Sequence, residues 1–522
     1  MIFRSPFPDV PIPDVPLDRL VFRQVERLAD KPAIIEGQTG RALTYAQLFD
    51  AVRRAASGLA RRGLTKGDVL ALYSPNAPEY VVAFHAAVML GGVVTTINPL
   101  CTAEEVAHQL EDAGAKYLVT APALLEKAAG AAHVAGVREV FVFGEAEGAT
   151  PFASLLEGDC DVPRVEINPR EDLAALPFSS GTTGVSKGVM LTHRNIVANI
   201  AQLEGAGYDW GRETLVCVLP MFHIYGLVVI VNHGLACGAT VVTLPRFDFE
   251  QLLKTVEDYR VTLAHLVPPV VLALAKHTAV DSYDLSSLKM IFSGAAPLGA
   301  ELTRECAARL GCDIVQGYGM TETSPCTHVS TPELNKAGSV GVCVPNTECK
   351  MVSVETGEEL GIGERGEICV RGPQVMKGYL NCPEATAQTI DADGWLHTGD
   401  VGYADEEGYF HIVDRAKELI KYKGFQVAPA ELEALLLTHP SVADAAVIPS
   451  PDEEAGEVPK AFVVVKEGHG MTEAEVLSFV AERVAPHKKI RRVEFVAHVP
   501  KSPSGKILRR LLVEREREKI SQ

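Results

Sequence analysis

The segment Ser179-Ser-Gly-Thr-Thr-Gly-Val-Ser-Lys-Gly188 is the densest concentration of phosphate-binding chemistry in the chain. It follows an apolar run, Leu173 to Phe178, that reads as a buried strand. Gly181, Gly184 and Gly188 let backbone amides approach a ligand closely. Ser179, Ser180, Thr182, Thr183 and Ser186 add hydroxyl donors, and Lys187 adds a compact positive charge. The order is neither a Walker A loop nor Gly-x-Gly-x-x-Gly, which argues against a dinucleotide fold. A flexible surface loop is the competing reading. So many donors straight after a buried strand favour phosphate binding.

Other segments supply complementary chemistry. In Gln316-Gly-Tyr-Gly-Met-Thr-Glu322, Gly317 and Gly319 permit close contact with a flat ring, and Tyr318 offers a stacking face. Thr321 is placed to donate to a phosphate oxygen, and Glu322 is a hard ligand suited to Mg²⁺. A glycine-bearing turn with a solvated carboxylate would look the same. In Gly394-Trp-Leu-His-Thr-Gly-Asp400, followed by Asp414-Arg415, Asp400 is able to accept from both ribose hydroxyls and Arg415 to bind ribose or phosphate. A salt-bridged turn is the alternative. Two lysine-bearing segments follow, Lys417 to Gln426 and Pro500-Lys-Ser-Pro-Ser-Gly-Lys506. A mobile ammonium such as Lys506 suits displacement at phosphorus, where negative charge gathers on equatorial oxygens. A lone lysine is by default solvent-exposed.

The elements that must position these groups alternate between helix and strand over the first 400 residues. Thr44 to Gly63 reads as a helix with Leu48, Val52, Ala55 and Leu59 on one face. Thr102-Ala-Glu-Glu105 is a capping box opening a second helix that ends near Gly114. Val69 to Tyr73, Tyr117 to Thr120 and Val140 to Phe143 read as buried strands. This alternation predicts mostly parallel sheets covered by helices. Asp391 to Gly424 is expected to be turns and short strands. After it, helices at Ala430 to Leu437 and Glu473 to Arg483 and strands at Ala443 to Ile448 and Ala461 to Val465 make a small α/β unit. The boundary is placed at Asp414 to Lys417, giving a large domain over 1–414 with a β-rich subdomain and a small mobile domain over 415–522.

The chain has 522 residues and a net charge of −18. Such a surface repels nucleic acid and anionic membranes. The uncharged stretch from Thr214 to Pro245 carries His223, Asn232 and His233, so a buried helix followed by a strand is expected rather than a membrane span. The proline-rich N-terminal residues lack a signal-peptide core, and the eleven cysteines form no framework. Reduced thiols in a cytoplasmic protein are expected. Near the end, Lys488, Lys489, Arg491, Arg492, Lys501, Lys506, Arg509 and Arg510 form a basic cluster. It reads either as a solvated or oligomer face or as a phosphate-facing lid.

SSGTTGVSKG, QGYGMTE, GWLHTGD and PKSPSGK, in that order and at these separations, resemble the acyl-adenylate-forming superfamily. Val413 to Glu433 and Phe222-His-Ile-Tyr225 resemble its 4-coumarate–CoA ligase branch. The resemblance implies an AMP-forming acid–thiol ligase that uses ATP, Mg²⁺ and coenzyme A on a carboxylic acid of the 4-coumarate or cinnamate type. Medium- or long-chain fatty acids are the alternative substrates. A stand-alone enzyme loading a carrier protein and a nucleotide-binding pseudoenzyme are the alternative functions. A monomer or homodimer is expected.

Residue by residue, the resemblance assigns Ser179 to Gly184 and Lys187 to phosphates, and Gln316 to Gly319 and Thr321 to adenine and the AMP phosphate. Glu322 binds Mg²⁺, and Asp400 and Arg415 hold the ribose. Lys506 serves adenylation, Lys421 and Gln426 contact the adenylate or assist the second step, and Lys417 is the hinge. Arg246, Lys423 and Gly424 contact coenzyme A, and His223 gates the acyl carboxylate. The acyl pocket maps onto Tyr225, Val229, Phe292, Ala295, Gly317, Gly319, Pro325 and Cys326. Hydroxycinnamate-specific members commonly carry a polar group where this chain has Val229. Valine leaves a ring hydroxyl unpaired, so tolerance of apolar acids such as cinnamate or medium-chain fatty acids is expected.

Overall fold

The computed structural model describes residues 1–179, 186–423, 425–452, 455–502 and 505–521. The helix Tyr45–Arg61 opens on the Thr44 capping box, with the Thr44 hydroxyl accepting from the Gln47 amide and the Gln47 side chain accepting from the Thr44 amide. Leu48, Val52, Ala55 and Leu59 are fully buried, as their spacing predicts. The helix Ala103–Ala113 has the expected Thr102/Glu105 box and ends at Gly114, whose φ of 63° is left-handed.

Two large sheets form the body. One runs, in spatial order, Phe178–Ser179, Lys187–Thr192, Leu173–Ala175, Val93–Thr96, Val69–Tyr73, Ala115–Thr120, Glu139–Val142 and Thr150–Pro151. The other runs Val342–Cys343, Cys326–Val329, Asp313–Gly319, Met290–Ser293, Leu263–Leu266, Thr214–Cys217, Thr240–Thr243, Pro32–Glu36 and Ala42–Thr44. The central strands of both are parallel. Helices bury the apolar faces, and one continuous core joins the two sheets.

A third sheet is antiparallel: Ile2–Arg4, Glu348–Val352, Gly366–Arg371, Leu396–Ala404 and Phe410–Arg415. A fourth, around Val442–Asp452 and Gly456–Val465, carries Ile420–Tyr422, Phe425–Val427 and Arg492–Phe495. It has its own core of Leu432, Leu436, Val447, Val463, Val476 and Val480. The chain leaves the third sheet after Arg415 and enters the fourth at Ile420.

Three expectations need correction. Asp391 to Gly424 contains a nine-residue strand, Leu396–Ala404, because cross-strand pairing to Gly366–Arg371 and Phe410–Arg415 overrides its glycine content. The 214–245 stretch begins with a strand, Thr214–Cys217, before its helix (Tyr225–His233, continuing as Gly234–Cys237) and the strand Thr240–Thr243. Leu173 to Phe178 is two strands, since Pro177 separates Leu173–Ala175 from Phe178–Ser179. Among the described residues, no helix is long and apolar enough to cross a membrane. All eleven cysteines are free, and eight are buried.

Candidate active site

Four elements converge on Glu322. It sits in a short 3₁₀ turn, Thr321–Thr323, directly after the strand Asp313–Gly319. The Ser179 hydroxyl and the Tyr379 phenol both donate to its Oε1, each at 2.8 Å. The carboxylate is 4% exposed, and its Oε2 has no hydrogen-bond partner among the described residues. Lys187 opens the strand Lys187–Thr192, with its ammonium 5.4 Å from the Tyr379 ring centroid. A hard oxygen with an open lone pair, beside a lysine and a serine, fits a cation bound together with phosphate. Ser180, Gly181, Thr182, Thr183 and Gly184 lie outside the described residues.

Asp400 forms the second half of the site. It stands opposite Arg415 in the pairing of Leu396–Ala404 with Phe410–Arg415. Its Oδ2 accepts from the Tyr318 phenol at 2.7 Å, and its Oδ1 lies 3.3 Å from the Arg415 Nε. Burial pushes the Asp400 carboxyl up; Arg415 and the Tyr318 bond oppose that shift. Burial works to lower Arg415 as well, but Asp400 and Glu418 outweigh it and the guanidinium is held above its ordinary value.

The glycines of the Gln316–Gly319 segment have steric causes. A Cβ on Gly317 would stand 2.5 Å from the Phe292 ring, and one on Gly319 would stand 1.9 Å from the Pro325 carbonyl oxygen. The Gln316 side chain is engaged within the protein. Its amide oxygen accepts from the Leu298 amide at 3.0 Å and its NH₂ donates to the Leu298 carbonyl at 3.1 Å, so the side chain is a clamp on a neighbouring loop. Thr321 is half-buried on the Glu322 turn.

Lys506 arrives from the small domain. Burial lowers its pKa first and Arg415 second, while Asp400 and Glu322 oppose them. Arg415, Asp400 and Glu322 are thus among the charges that its buried ammonium feels. The preceding Gly505 sits against Val267, whose Cγ2 would lie 3.0 Å from an added Cβ. His223 is also near: burial, then the Lys506 charge, lowers its imidazole to about 4. Its Nδ1 accepts from the Tyr225 amide at 3.2 Å, which leaves the proton on Nε2 in the neutral ring.

The other lysine-bearing face of the small domain is elsewhere. Lys421, Lys423 and Gln426 are exposed, and Gln426 donates to Glu355 Oε1 at 3.4 Å, on a hairpin of the third sheet. Lys423 has a left-handed φ of 48°. Arg246 is exposed after the strand Thr240–Thr243, and Gly424 lies outside the described residues. Lys417 follows Ala416, whose amide donates to the Gly399 carbonyl at 2.9 Å. Around it, Asp414 accepts from the Ala430 amide at 2.8 Å, and Arg509 bridges Glu418 and Glu433.

Most of the basic cluster is paired within the small domain. Lys488 pairs with Glu431, Arg492 with Asp452, Lys501 with Asp444 and Arg510 with Glu514. Arg491 lies over the Tyr422 ring. The small domain's own carboxylates pair with most of these cations, and of the cluster only Lys506 is described beside Asp400 and Glu322.

Several of the positions assigned to the acyl pocket lie against one another. Tyr225, Val229, Phe292 and Cys326 are each less than 8% exposed. The Tyr225 and Phe292 rings lie 6.3 Å apart, and the Cys326 thiol is pushed up to about 12 by burial. Ala295 holds a left-handed φ of 69°, and Pro325 abuts Gly319. Three residues of the centre were not foreseen. Tyr379 has no local motif. Trp210 and His265 belong to no motif, although a histidine inside Leu263–Leu266 is an available signal.

The AMP-binding enzyme family model matches residues 21–380, and the AMP-binding enzyme C-terminal domain model matches 431–506. The chain is 47% identical to 4-coumarate–CoA ligase 5 of Oryza sativa subsp. japonica over 98% of this chain and 96% of that one. Its fold matches the anthranilate CoA ligase AuaEII in complex with anthranoyl-AMP at a TM-score of 0.90, with 26% identity and coverage of 98% and 99% of the two chains. It matches ATP-bound MatB from Rhodopseudomonas palustris at 0.86, with 32% identity and coverage of 95% and 98%, against 0.76 for apo MatB. From the shared fold, the near-complete coverage and the carboxylate–lysine centre, the chain belongs to the AMP-binding enzyme family.

Proposed function

We propose that the chain is an AMP-forming acid–thiol ligase that joins a carboxylic acid, of the 4-coumarate or cinnamate type, to coenzyme A through an acyl-adenylate. The observation that supports this reading is the buried Lys506 of the small domain, whose ammonium feels the charges of Arg415, Asp400 and Glu322 and in turn lowers His223. A regulator that only bound nucleotide would have no need to hold an ammonium there. The 4-coumarate–CoA ligases at 46–47% identity over nearly the whole chain support the acid class and the thiol acceptor.

In the first step the substrate carboxylate attacks the α-phosphorus of ATP, and pyrophosphate leaves with the P–O bonding pair. The Lys506 ammonium stabilises the charge that gathers on the equatorial oxygens. Asp400 accepts from the ribose hydroxyls once Tyr318 releases it, and Arg415 holds the same sugar. Glu322 is the residue that would hold Mg²⁺, which supplies charge neutralisation on the phosphates. His223, neutral and donating through Nε2, orients the acid. In the second step the coenzyme A thiol, losing its proton, attacks the acyl carbon and AMP leaves. Lys421, Lys423 and Gln426 lie on the face that would replace Lys506 if the small domain turned about Lys417. Arg246 stands ready for the coenzyme A phosphates.

The test is coenzyme A-dependent AMP formation with ATP and Mg²⁺ across 4-coumarate, cinnamate, benzoate, octanoate and palmitate. Preference for the arylpropenoates supports the reading. Preference for octanoate or palmitate moves the protein to fatty acids. Pyrophosphate release without a coenzyme A product points to a carrier-protein acceptor.

A further inference from the structure

The segment from Met376 to Leu380 joins the strand of Lys187 to the turn of Glu322. Its short strand Gly378–Tyr379 pairs antiparallel with Lys187–Thr192, with Tyr379 opposite Val189. The Leu380 amide donates to the Gly188 carbonyl at 2.8 Å, and the Lys377 amide donates to the Met190 carbonyl at 2.9 Å. The Met376 amide donates to the Glu322 carbonyl at 2.8 Å. The Tyr379 amide donates to the Thr386 hydroxyl at 2.9 Å, on the helix Pro383–Thr389. The tyrosine backbone is therefore fixed on both sides, and its buried phenol reaches the Glu322 carboxylate.

The two oxygens of a carboxylate are equivalent until donors distinguish them. An ionised carboxylate only accepts, so the Tyr379 and Ser179 hydroxyls both donate, and both meet Oε1. Two donors fill the lone pairs of that oxygen and fix the carboxylate about its last bond, leaving Oε2 with open lone pairs. That terminal torsion is otherwise broad, so a single donor holds it less firmly. Ser179 is the less committed donor, because it opens the hydroxyl-rich segment whose composition favours phosphate. Its hydroxyl has a competing acceptor once phosphate is present. The Tyr379 ring also lies 5.4 Å from the Lys187 ammonium, so one side chain contacts both an anion and a cation of the site.

We propose that Tyr379 is a positioning residue for the metal: by holding Oε1 of Glu322, it presents Oε2 to the divalent cation that accompanies ATP. This rests on the ligase reading above, in which Glu322 is the residue that would hold Mg²⁺. Tyr379 acts through Glu322, and no covalent bond changes at it. Its ring supports Lys187 separately, so hydroxyl and ring have separable effects.

The experiment titrates Mn²⁺ into α,β-methylene-ATP bound to an excess of the full chain and reads free Mn²⁺ by electron paramagnetic resonance. This nucleotide is not cleaved between its α- and β-phosphorus. Calorimetry with the same nucleotide in EDTA measures metal-free binding, and Glu322→Gln sets the scale for losing the ligand itself. Tyr379→Phe should weaken Mn²⁺ binding by about tenfold, the effect of one charge-assisted hydrogen bond, with metal-free nucleotide binding kept within about threefold. The Mg²⁺ needed for half-maximal pyrophosphate exchange should rise by a similar factor, with most of kcat recovered at saturating Mg²⁺. Tyr379→Leu, which also removes the ring beside Lys187, should weaken metal-free binding as well. Added to Glu322→Gln, Tyr379→Phe should cost little more, since both act through one carboxylate. Ser179→Ala should weaken Mn²⁺ binding by less than about threefold, because Tyr379 still holds Oε1, and it decides the matter if Tyr379→Phe proves unfolded by thermal melting. Unchanged Mn²⁺ affinity in Tyr379→Phe overturns the proposal. So do equal losses with and without metal, which would make the tyrosine merely structural, or a Ser179→Ala loss as large as that of Glu322→Gln. Wild-type Mn²⁺ affinity in Glu322→Gln defeats the metal assignment and this proposal together, with the ligase reading intact. No adenylate from any acid defeats the ligase reading alone, because the Mn²⁺ titration needs no acid.

Discussion

Tyr318 donates its phenolic proton to Asp400 across 82 residues of sequence, at 2.7 Å. The bond ties the strand that ends in the Glu322 turn to the strand that pairs with Arg415. It also occupies the lone pair that a ribose hydroxyl would use. Asp400→Asn should weaken AMP binding by about 10- to 100-fold, because the amide offers one neutral acceptor oxygen where the carboxylate offers two charged ones. Tyr318→Phe should leave the carboxylate free and weaken AMP binding far less. Calorimetric titration with AMP checks both, and equal losses would assign Tyr318 a direct nucleotide contact.

Lys506→Ala should lower the rate of acid-dependent pyrophosphate exchange by about 10²- to 10³-fold, the effect of removing a preorganised group from a developing oxyanion. AMP binding should be retained. Full exchange activity would remove Lys506 from the mechanism.

The opposite face of the small domain is exposed here, so its residues should matter only to the second step. Lys423→Ala and Gln426→Ala should slow coenzyme A-dependent product release by about tenfold or more while sparing pyrophosphate exchange. Separate assays of the two half-reactions decide this; equal losses in both would refute a division of labour between the faces.

Gly319→Ala forces a Cβ into the Pro325 carbonyl, 1.9 Å away in the present backbone. A loss of about 1–3 kcal/mol in urea unfolding is expected, together with weaker adenylate formation. The contact is with backbone, so no side-chain rotation relieves it.

His397 reports on the third sheet. The Cys369 sulfur and the Glu367 carboxylate, 2.9 Å from Nδ1, hold its imidazole up at about 10. A cationic group raised in the folded state stabilises fully below its unfolded value of about 6.5, and that stabilisation is lost as pH rises to about 10. Urea midpoints of the wild type should therefore exceed those of His397→Gln near neutrality and converge with them above about pH 10. A constant difference across that range would show that the ring acts by packing alone.

The sequence by itself determined the local parts. Capping at Thr44 and Thr102 and the buried stripe of Leu48, Val52, Ala55 and Leu59 depend on neighbours three or four residues away, so their physics is written locally. The same holds for Gly317 and Gly319, where glycine at those positions signals close backbone approach. What only the tertiary structure decided depends on partners far along the chain. The strand character of Leu396–Ala404 comes from its two antiparallel neighbours, and the clamp role of Gln316 comes from Leu298. The pairing of Arg492, Lys501 and Arg509 with carboxylates of the small domain joins part of the basic segment into a structural ion network. The meeting of His265 with Tyr225, Phe292 and Trp210 was set by parallel strand register, which no spacing rule exposes because each partner comes from a separate element.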